Sequence, residues 1–253
     1  MMKYKFLLLL LPVLIFSSCK QENLLLREIK GERIPVNNEI AEDTAIANYI
    51  RPFSQHINKV LDSVVAYNPQ YLNKSEGELN TAIGNFMADV IIEQANPVFK
   101  SRTGKNIDMV ILNYGGIRAT IEEGPLTART AYSIMPFENE IVVAELSGSR
   151  IKEMLTYLEN NRTAHPVSGI KIEMNRDYKI TNATIDGRPI DENSTYFVAT
   201  SDYLQQGGDN MNFLKDPITL HVIDYKLRNA YIDYFNKIDT LRTVRDDRYI
   251  RSN

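Results

Sequence analysis

Short apolar runs alternate with helical repeats along residues 51–238, and this alternation restricts what the chain can fold into. Ile107–Leu112 (IDMVIL) and Glu140–Leu146 (EIVVAEL) are apolar runs of strand length that are rich in β-branched residues. Tyr196–Thr200 has the same character and leads into a loop that contains glycine. Because these strands are separated by helical segments, the sequence predicts one mixed α/β domain.

The helical segments are recognised by apolar side chains that recur at three- and four-residue spacing. Residues 80–96 show this repeat most strongly, and Pro97 is the predicted end of that helix. Ser147 is placed to begin another helix. Weaker helical repeats cover residues 57–65 and 224–238.

Composition excludes several kinds of site. The 253 residues include one cysteine, which excludes an internal disulfide and a zinc-thiolate cluster. The three histidines, His56, His165 and His221, lack the short spacing of a histidine-built metal site. We expect a surface position for His56, a solvated loop for His165 and a core or sheet face for His221. A formal charge of −3 argues against nucleic acid as a partner, and we expect Arg242–Arg251 to be a solvated tail.

The first nineteen residues resemble a bacterial lipoprotein signal. Lys3 and Lys5 precede the apolar run Phe6–Phe16, which is too short to span a bilayer. Two serines and then Cys19 follow, although the family prefers leucine where Phe16 stands. The resemblance implies that Cys19 becomes an acylated N-terminus, in the periplasm or at the cell surface. A plain secreted protein with an incidental cysteine remains the alternative.

This interpretation divides the chain into three parts. Residues 1–18 are the predicted signal peptide, residues 19–48 a polar tether, and residues 49–253 the folded domain. Removing the signal peptide takes away two lysines and no acidic residue, so the mature chain is more acidic.

Three loops carry the unusual residues. In the first, Gly115 and Gly116 permit close backbone approach to a ligand. In the third, Gly207 and Gly208 can aim a following carboxylate into a cleft. Alone, each glycine pair is compatible with a simple turn, and the phenylalanine of the second loop is compatible with a core position. The loops are Asn113–Arg118 (NYGGIR), Pro136–Asn139 (PFEN) and Tyr203–Asn210 (YLQQGGDN).

Taken together, these loops resemble the C-terminal, nucleotide-binding domain of the 5′-nucleotidase family. The resemblance extends from about Asn58 to Phe213 and includes the helix motif Ile83–Asp89 (IGNFMAD). It implies a layered α/β/β/α arrangement of the mixed α/β domain. Further motifs that carry the resemblance are ELSG at 145–148, VSG at 167–169 and the DGRPID segment at 186–191.

The resemblance also implies a role for individual residues. In the family, two aromatic rings hold the base between them, and the matching positions are Phe137 and Tyr203. Arg118 would hold ribose or phosphate oxygens, and Asp209 the ribose hydroxyls. The base edge or the ribose would be contacted by the two matching amides, Asn113 and Asn139.

Two departures from the family pattern stand out. The family often has another arginine about seven residues before Gly84, where this chain has Gly77, and the nearest cation is Lys74. The family's catalysis also depends on an N-terminal metallophosphatase domain with two metals, and residues 20–50 contain no histidine. No catalytic or metal-binding residue is therefore assigned, and divalent metals are expected only in a partner.

The leading hypothesis is a nucleotide-binding domain that acts with a separately encoded metallophosphatase in extracytoplasmic nucleotide catabolism. Whether the chain itself takes part in hydrolysis stays open. One alternative is a non-catalytic lipoprotein that binds nucleosides or nucleotides. Another is a degenerate scaffold in which Phe137 and Tyr203 only fill a core.

Overall fold

The computed structural model describes residues 26–37 and 39–252. The chain divides into two units, residues 1–49 and residues 50–253. In the first unit, residues 26–37 are exposed and without regular secondary structure. The predicted signal peptide and Cys19 lie outside the described residues. Within the described ranges, no helix is long and apolar enough to cross a membrane.

Helices and strands follow one another from residue 44 onward, with five strands in succession between residues 167 and 201. The helices of the described part are α1 (Thr44–Leu61), α2 (Ala82–Thr103), α3 (Ala128–Ile134), α4 (Gly148–Asn161), α5 (Asp202–Gln205) and α6 (Leu227–Phe235). The strands there are β1 (Val64–Asn68), β2 (Met109–Ile111), β3 (Gly124–Thr127), β4 (Glu140–Ser147), β5 (Val167–Ser168), β6 (Ile170–Met174), β7 (Ile180–Ile185), β8 (Arg188–Pro189), β9 (Thr195–Ser201), β10 (Thr219–Lys226) and β11 (Tyr249–Arg251).

A five-stranded sheet in the order β10-β4-β9-β2-β5 organises the second unit. Strand β4 is antiparallel to both of its neighbours, and β2 runs parallel to β9. A four-stranded sheet has the order β11-β6-β7-β8, and β1 pairs with β3 in a separate antiparallel ribbon. The predicted mixed α/β class is confirmed.

The five-stranded sheet is buried on both faces. On β9, Phe197 and Ala199 belong to one hydrophobic core, whereas Val198 between them belongs to another. Val143 and Ala144 of β4 divide in the same way, as the two-residue period of a strand requires. The first core includes residues of α2, α3 and α6, and the second includes residues of α4 and of the four-stranded sheet.

Helix α2 does not end at Pro97, so that prediction is wrong. The helix begins after the N-cap Thr81 and continues to Thr103, where Gly104 ends it in the left-handed conformation with φ 74°. A proline inside a helix removes one backbone hydrogen bond. Ala95 and Phe99 are buried on either side of Pro97, and their packing keeps the helix continuous.

The helical repeat predicted over residues 57–65 also ends early. Helix α1 stops at Leu61, and Val64 pairs with Thr127 across the β1–β3 ribbon. Val64 and Val65 are β-branched residues, which suit a strand better than a helix.

The segment Arg242–Arg251 is a structured part of the fold, and its prediction as a solvated tail is wrong. Tyr249 is buried, and β11 pairs in parallel with β6. Arg248 donates to both carboxylate oxygens of Asp89 in α2, at 2.6 and 2.9 Å, and to Asp246 at 2.8 Å. Ion pairs of this segment with Asp89, Lys171 and Glu78 thus hold it to the domain.

Replacing Arg248 with methionine tests this attachment. We expect the free energy of unfolding to fall by about 2–3 kcal/mol, because two partly buried carboxylates lose their partner. Urea denaturation measures the change. The control is Arg188→Met, which removes an arginine whose pair with Asp186 is largely exposed, with an expected change of about 0.5 kcal/mol or less. Equal losses in the two variants would contradict a structural role for Arg248.

Candidate functional site

The strand order brings the three predicted loops to one edge of the five-stranded sheet. Asn113 follows β2 and Tyr203 follows β9, and parallel strands end at the same edge. Strand β4 is antiparallel to β9, with Ile141 opposite Ser201, so the segment before β4 reaches that edge too. Asn139 in this segment donates to Asp202 at 2.8 Å, which joins the second loop to the residue that precedes the third.

A cleft of about 700 Å³ lies between these loops. Gly115 and Gly116 of the first loop also form part of its wall, and Leu112, Met135 and Leu227 give it an apolar floor. The structure brings all six predicted ligand-binding residues to its lining, namely Asn113, Arg118, Phe137, Asn139, Tyr203 and Asp209.

The carboxylate of Asp209 connects two of the loops. One oxygen accepts a hydrogen bond from the Asn113 side-chain amide at 2.7 Å, and the other accepts from the Tyr203 hydroxyl at 3.0 Å. Asp209 is exposed and adopts a left-handed backbone conformation, with φ 52°. Because an ionised carboxylate offers about four acceptor sites, two remain for a ligand.

Two aromatic rings face the cleft without belonging to either core. Phe137 is 42% exposed and Tyr203 is 48% exposed. The guanidinium of Arg118 lies over the Phe137 ring, with its central carbon 5.7 Å from the ring centroid. The Tyr203 ring packs on the backbone of Gly208, where a Cβ atom would overlap the ring. These exposures disagree with the hypothesis that the rings fill a core.

The positive charge of Arg118 is available to a ligand in the cleft. Its Nη1 donates to the backbone oxygen of Gly115 at 3.2 Å, and among the described residues it forms no ion pair with a carboxylate. An exposed guanidinium at the edge of a cleft provides a planar donor for phosphate or hydroxyl oxygens.

The position where the family often has a second arginine cannot hold one in this backbone. A Cβ atom on Gly77 would overlap the backbone oxygen of Asn80. Lys74 lies beside the first loop instead, where its Nζ donates to the backbone oxygen of Ile117 at 2.9 Å. The same ammonium lies 4.5 Å from the ring centroid of Tyr114.

His165 is buried, so its prediction as a solvated loop residue is wrong. Only 4% of it is exposed, and its Nδ1 accepts a hydrogen bond from the backbone N–H of Tyr114 at 3.2 Å. Burial lowers the pKa of His165 to about 4, against opposing effects of the Asp209 charge and a hydrogen bond with the Leu112 backbone. His165 is therefore a neutral support under the first loop.

Tyr157 of α4 extends this support to the third loop. Its ring packs against His165 with the centroids 5.6 Å apart, and its hydroxyl donates to the backbone oxygen of Asp209 at 3.0 Å. Sequence reasoning missed Tyr157 and the role of His165, because no local pattern connects either residue to the loops. Of the other histidines, His56 is exposed, and His221 packs between Phe99 and Phe197, both as predicted.

Ion pairs of Glu138 hold the second loop in place. Glu138 pairs with Lys226 and with Arg228, and these hydrogen bonds lower the pKa of Glu138 to about 2.

Within residues 26–37 and 39–252, no three histidine, cysteine, aspartate or glutamate side chains cluster in a way that could hold a metal ion.

A family model for the 5′-nucleotidase C-terminal domain matches residues 61–216, a range that contains all three loops. The chain belongs to this family. It is 26% identical to protein UshA of Yersinia enterocolitica over 221 residues, which are 83% of this chain and 38% of that protein. It is 28% identical to the trifunctional nucleotide phosphoesterase YfkN of Bacillus subtilis over 222 residues, which are 77% of this chain and 14% of that protein. The chain thus spans less than two fifths of either relative.

Solved structures show the same fold. A 5′-nucleotidase precursor from Thermus thermophilus superposes with a TM-score of 0.67 at 22% identity, over 84% of this chain and 44% of that one. The NAD nucleotidase of Haemophilus influenzae superposes with a TM-score of 0.62 at 19% identity, over 83% and 42%. The predicted family and its fold are confirmed.

Replacing His165 with asparagine tests the buried histidine. Its folded pKa lies below the ordinary value of 6.5, so the unfolded state binds more protons between pH 6.5 and about 4. We expect the unsubstituted protein to lose about 3 kcal/mol of stability from this group as pH falls through that window. Asparagine keeps an acceptor near Nδ1 and does not titrate there, so this loss should vanish.

Urea denaturation at several pH values measures the difference. His56→Asn, at an exposed position on α1, is the control and should keep the full pH dependence. An unchanged pH dependence in His165→Asn would show that His165 is not neutral in the fold.

Proposed function

We propose that the cleft binds a nucleoside 5′-phosphate with the base between Phe137 and Tyr203. The observation that carries this proposal is the pair of half-exposed rings lining one cleft with an exposed carboxylate. The exposed faces of the two rings offer flat surfaces in the cleft on which a base can stack. Stacking on one aromatic ring contributes about 1–3 kcal/mol. Two rings thus supply much of the roughly 8 kcal/mol of micromolar binding.

The polar groups of the cleft fit the rest of such a ligand. Asp209 has free acceptor sites for the adjacent hydroxyls of a ribose. Arg118 offers its unpaired guanidinium to ribose or phosphate oxygens. Asn113 and Asn139 complete the set with amide groups for the base edge or the ribose.

We further propose that this chain serves an extracytoplasmic 5′-nucleotidase system and that a separately encoded metallophosphatase supplies the hydrolysis. Support comes from the family, whose catalysis depends on a metallophosphatase domain, and from the lack of a metal-holding cluster in the described residues. The protein would then present nucleotides to its partner in nucleotide catabolism. A lipid on Cys19 would hold it at a membrane, as the basic residues, the short apolar run and the cysteine indicate.

Replacing Phe137 with alanine tests the stacking. We expect AMP to bind about tenfold more weakly, because one ring face is lost. Isothermal titration calorimetry with AMP and adenosine measures the affinity. The free energy of unfolding should change by about 1 kcal/mol or less, since the ring is 42% exposed.

Tyr71→Ala is the matched control, because Tyr71 is an aromatic residue that is 52% exposed and lies outside the lining of the cleft. It should leave AMP binding unchanged. Failure of the unsubstituted protein to bind either AMP or adenosine would contradict the proposed ligand.

The partner is tested by mixing the protein with a secreted metallophosphatase of the same organism. We expect a complex on size-exclusion chromatography and a faster release of phosphate from AMP, because the cleft adds affinity for the nucleoside. Arg118→Ala should remove much of the gain. Binding of AMP with no complex and no rate effect would instead support the non-catalytic binding protein.

A further inference from the structure

Arg228, outside the predicted site, contacts the backbone that carries Phe137. It lies in the first turn of α6, and its side chain is 5% exposed. Its Nη1 donates to the backbone oxygen of Phe137 at 3.1 Å, and its Nη2 donates to the carboxylate of Glu138. The guanidinium also stacks on Tyr132 of α3, 4.0 Å from the ring centroid.

The start of α6 holds the next residue of the loop as well. The backbone N–H of Leu227 donates to the backbone oxygen of Asn139 at 3.1 Å. Three consecutive loop residues are therefore tied to two consecutive helix residues. The Phe137 ring is 42% exposed and is contacted by the Arg118 guanidinium, and the backbone contacts fix the point from which the ring projects into the cleft.

The burial of Arg228 is explained by this loop. Burying a guanidinium is unfavourable unless it is paired, and a cation in the first turn of a helix also opposes the helix dipole. Its two terminal nitrogens donate to residues 137 and 138, and its buried Nε has no acceptor among the described residues. The compensation for the buried charge thus comes from the loop and from the ring of Tyr132.

We infer that Arg228 is a positioning residue that fixes the backbone from which the Phe137 ring projects and so determines how tightly the cleft holds a base. This inference rests on the proposed function of the cleft. Lysine cannot reproduce the contact, because one ammonium lacks the planar fork that reaches a carbonyl and a carboxylate together.

The experiment measures two ligands on four forms of the protein. The forms are unsubstituted, Arg228→Lys, Phe137→Ala and the double variant. The fluorescence of 1,N6-ethenoadenosine 5′-monophosphate, which is quenched when its base stacks, reports the base. Calorimetry with ribose 5-phosphate reports the rest of the cleft, because that ligand has no base to stack.

For Arg228→Lys we expect nucleotide affinity to fall about five- to tenfold, which is part of the affinity that one stacked ring contributes. Quenching at saturation should weaken, and ribose 5-phosphate affinity should stay within about twofold. In the Phe137→Ala background, Arg228→Lys should cause no further loss, because its effect passes through that ring. A purely structural role would lower both affinities together and add to the loss from Phe137→Ala.

Lys226→Gln is the matched control. Lys226 pairs with the same Glu138 but makes no contact with the backbone of Phe137, so nucleotide affinity should change less than about twofold. If Arg228→Lys does not fold, Glu138→Gln takes its place. This substitution weakens the pairing of Arg228 with the loop, and because the Glu138 side chain is exposed it carries less risk to the fold. It should show the same selective loss at two- to threefold.

The outcomes separate the two proposals. A selective loss of nucleotide affinity that disappears without Phe137 supports the positioning role. Equal affinities in Arg228→Lys and the unsubstituted protein overturn this role and leave the proposed function standing. Absence of nucleotide binding by the unsubstituted protein overturns both.

Discussion

The parallel pairing of β2 with β9, beside the antiparallel β4, is the constraint on which the site depends. Met109 lies opposite Val198, so the two strands end together, and Ile141 of β4 starts opposite Ser201. Three loops that are far apart in the chain meet at one edge for this reason. Each loop could form its turn by itself, but only this strand order makes them one cleft.

Hydrogen bonds between the loops then give the cleft its shape. Asp209 accepts from Asn113 and Tyr203, and Asn139 donates to Asp202. His165 and Tyr157 support two of the loops from below. Most of the ordering is thus present before any ligand arrives, and a ligand that meets ordered side chains loses less of its binding energy to immobilising them.

The sequence predicted those features that depend on local pattern. The alternation of apolar runs and helical repeats was enough for the fold class, and the resemblance of the three loops to a known family pointed to the residues that line the cleft. Pro97, His165 and Arg248 were misjudged because their environments are made by distant residues. Arg248 bonds to Asp89, 159 residues earlier, and His165 lies under Tyr114, 51 residues earlier. Arg228 was missed for the same reason, since its acceptor is 91 residues away.

The attachment of strand β11 affects the order in which parts of the domain can fold. Strand β11 completes the four-stranded sheet, and Arg248 neutralises Asp89 in the long helix of the first core. Neither contact can form until residues 248–251 have left the ribosome. The four-stranded sheet therefore stays incomplete until these residues are available, and contacts of such long range form slowly.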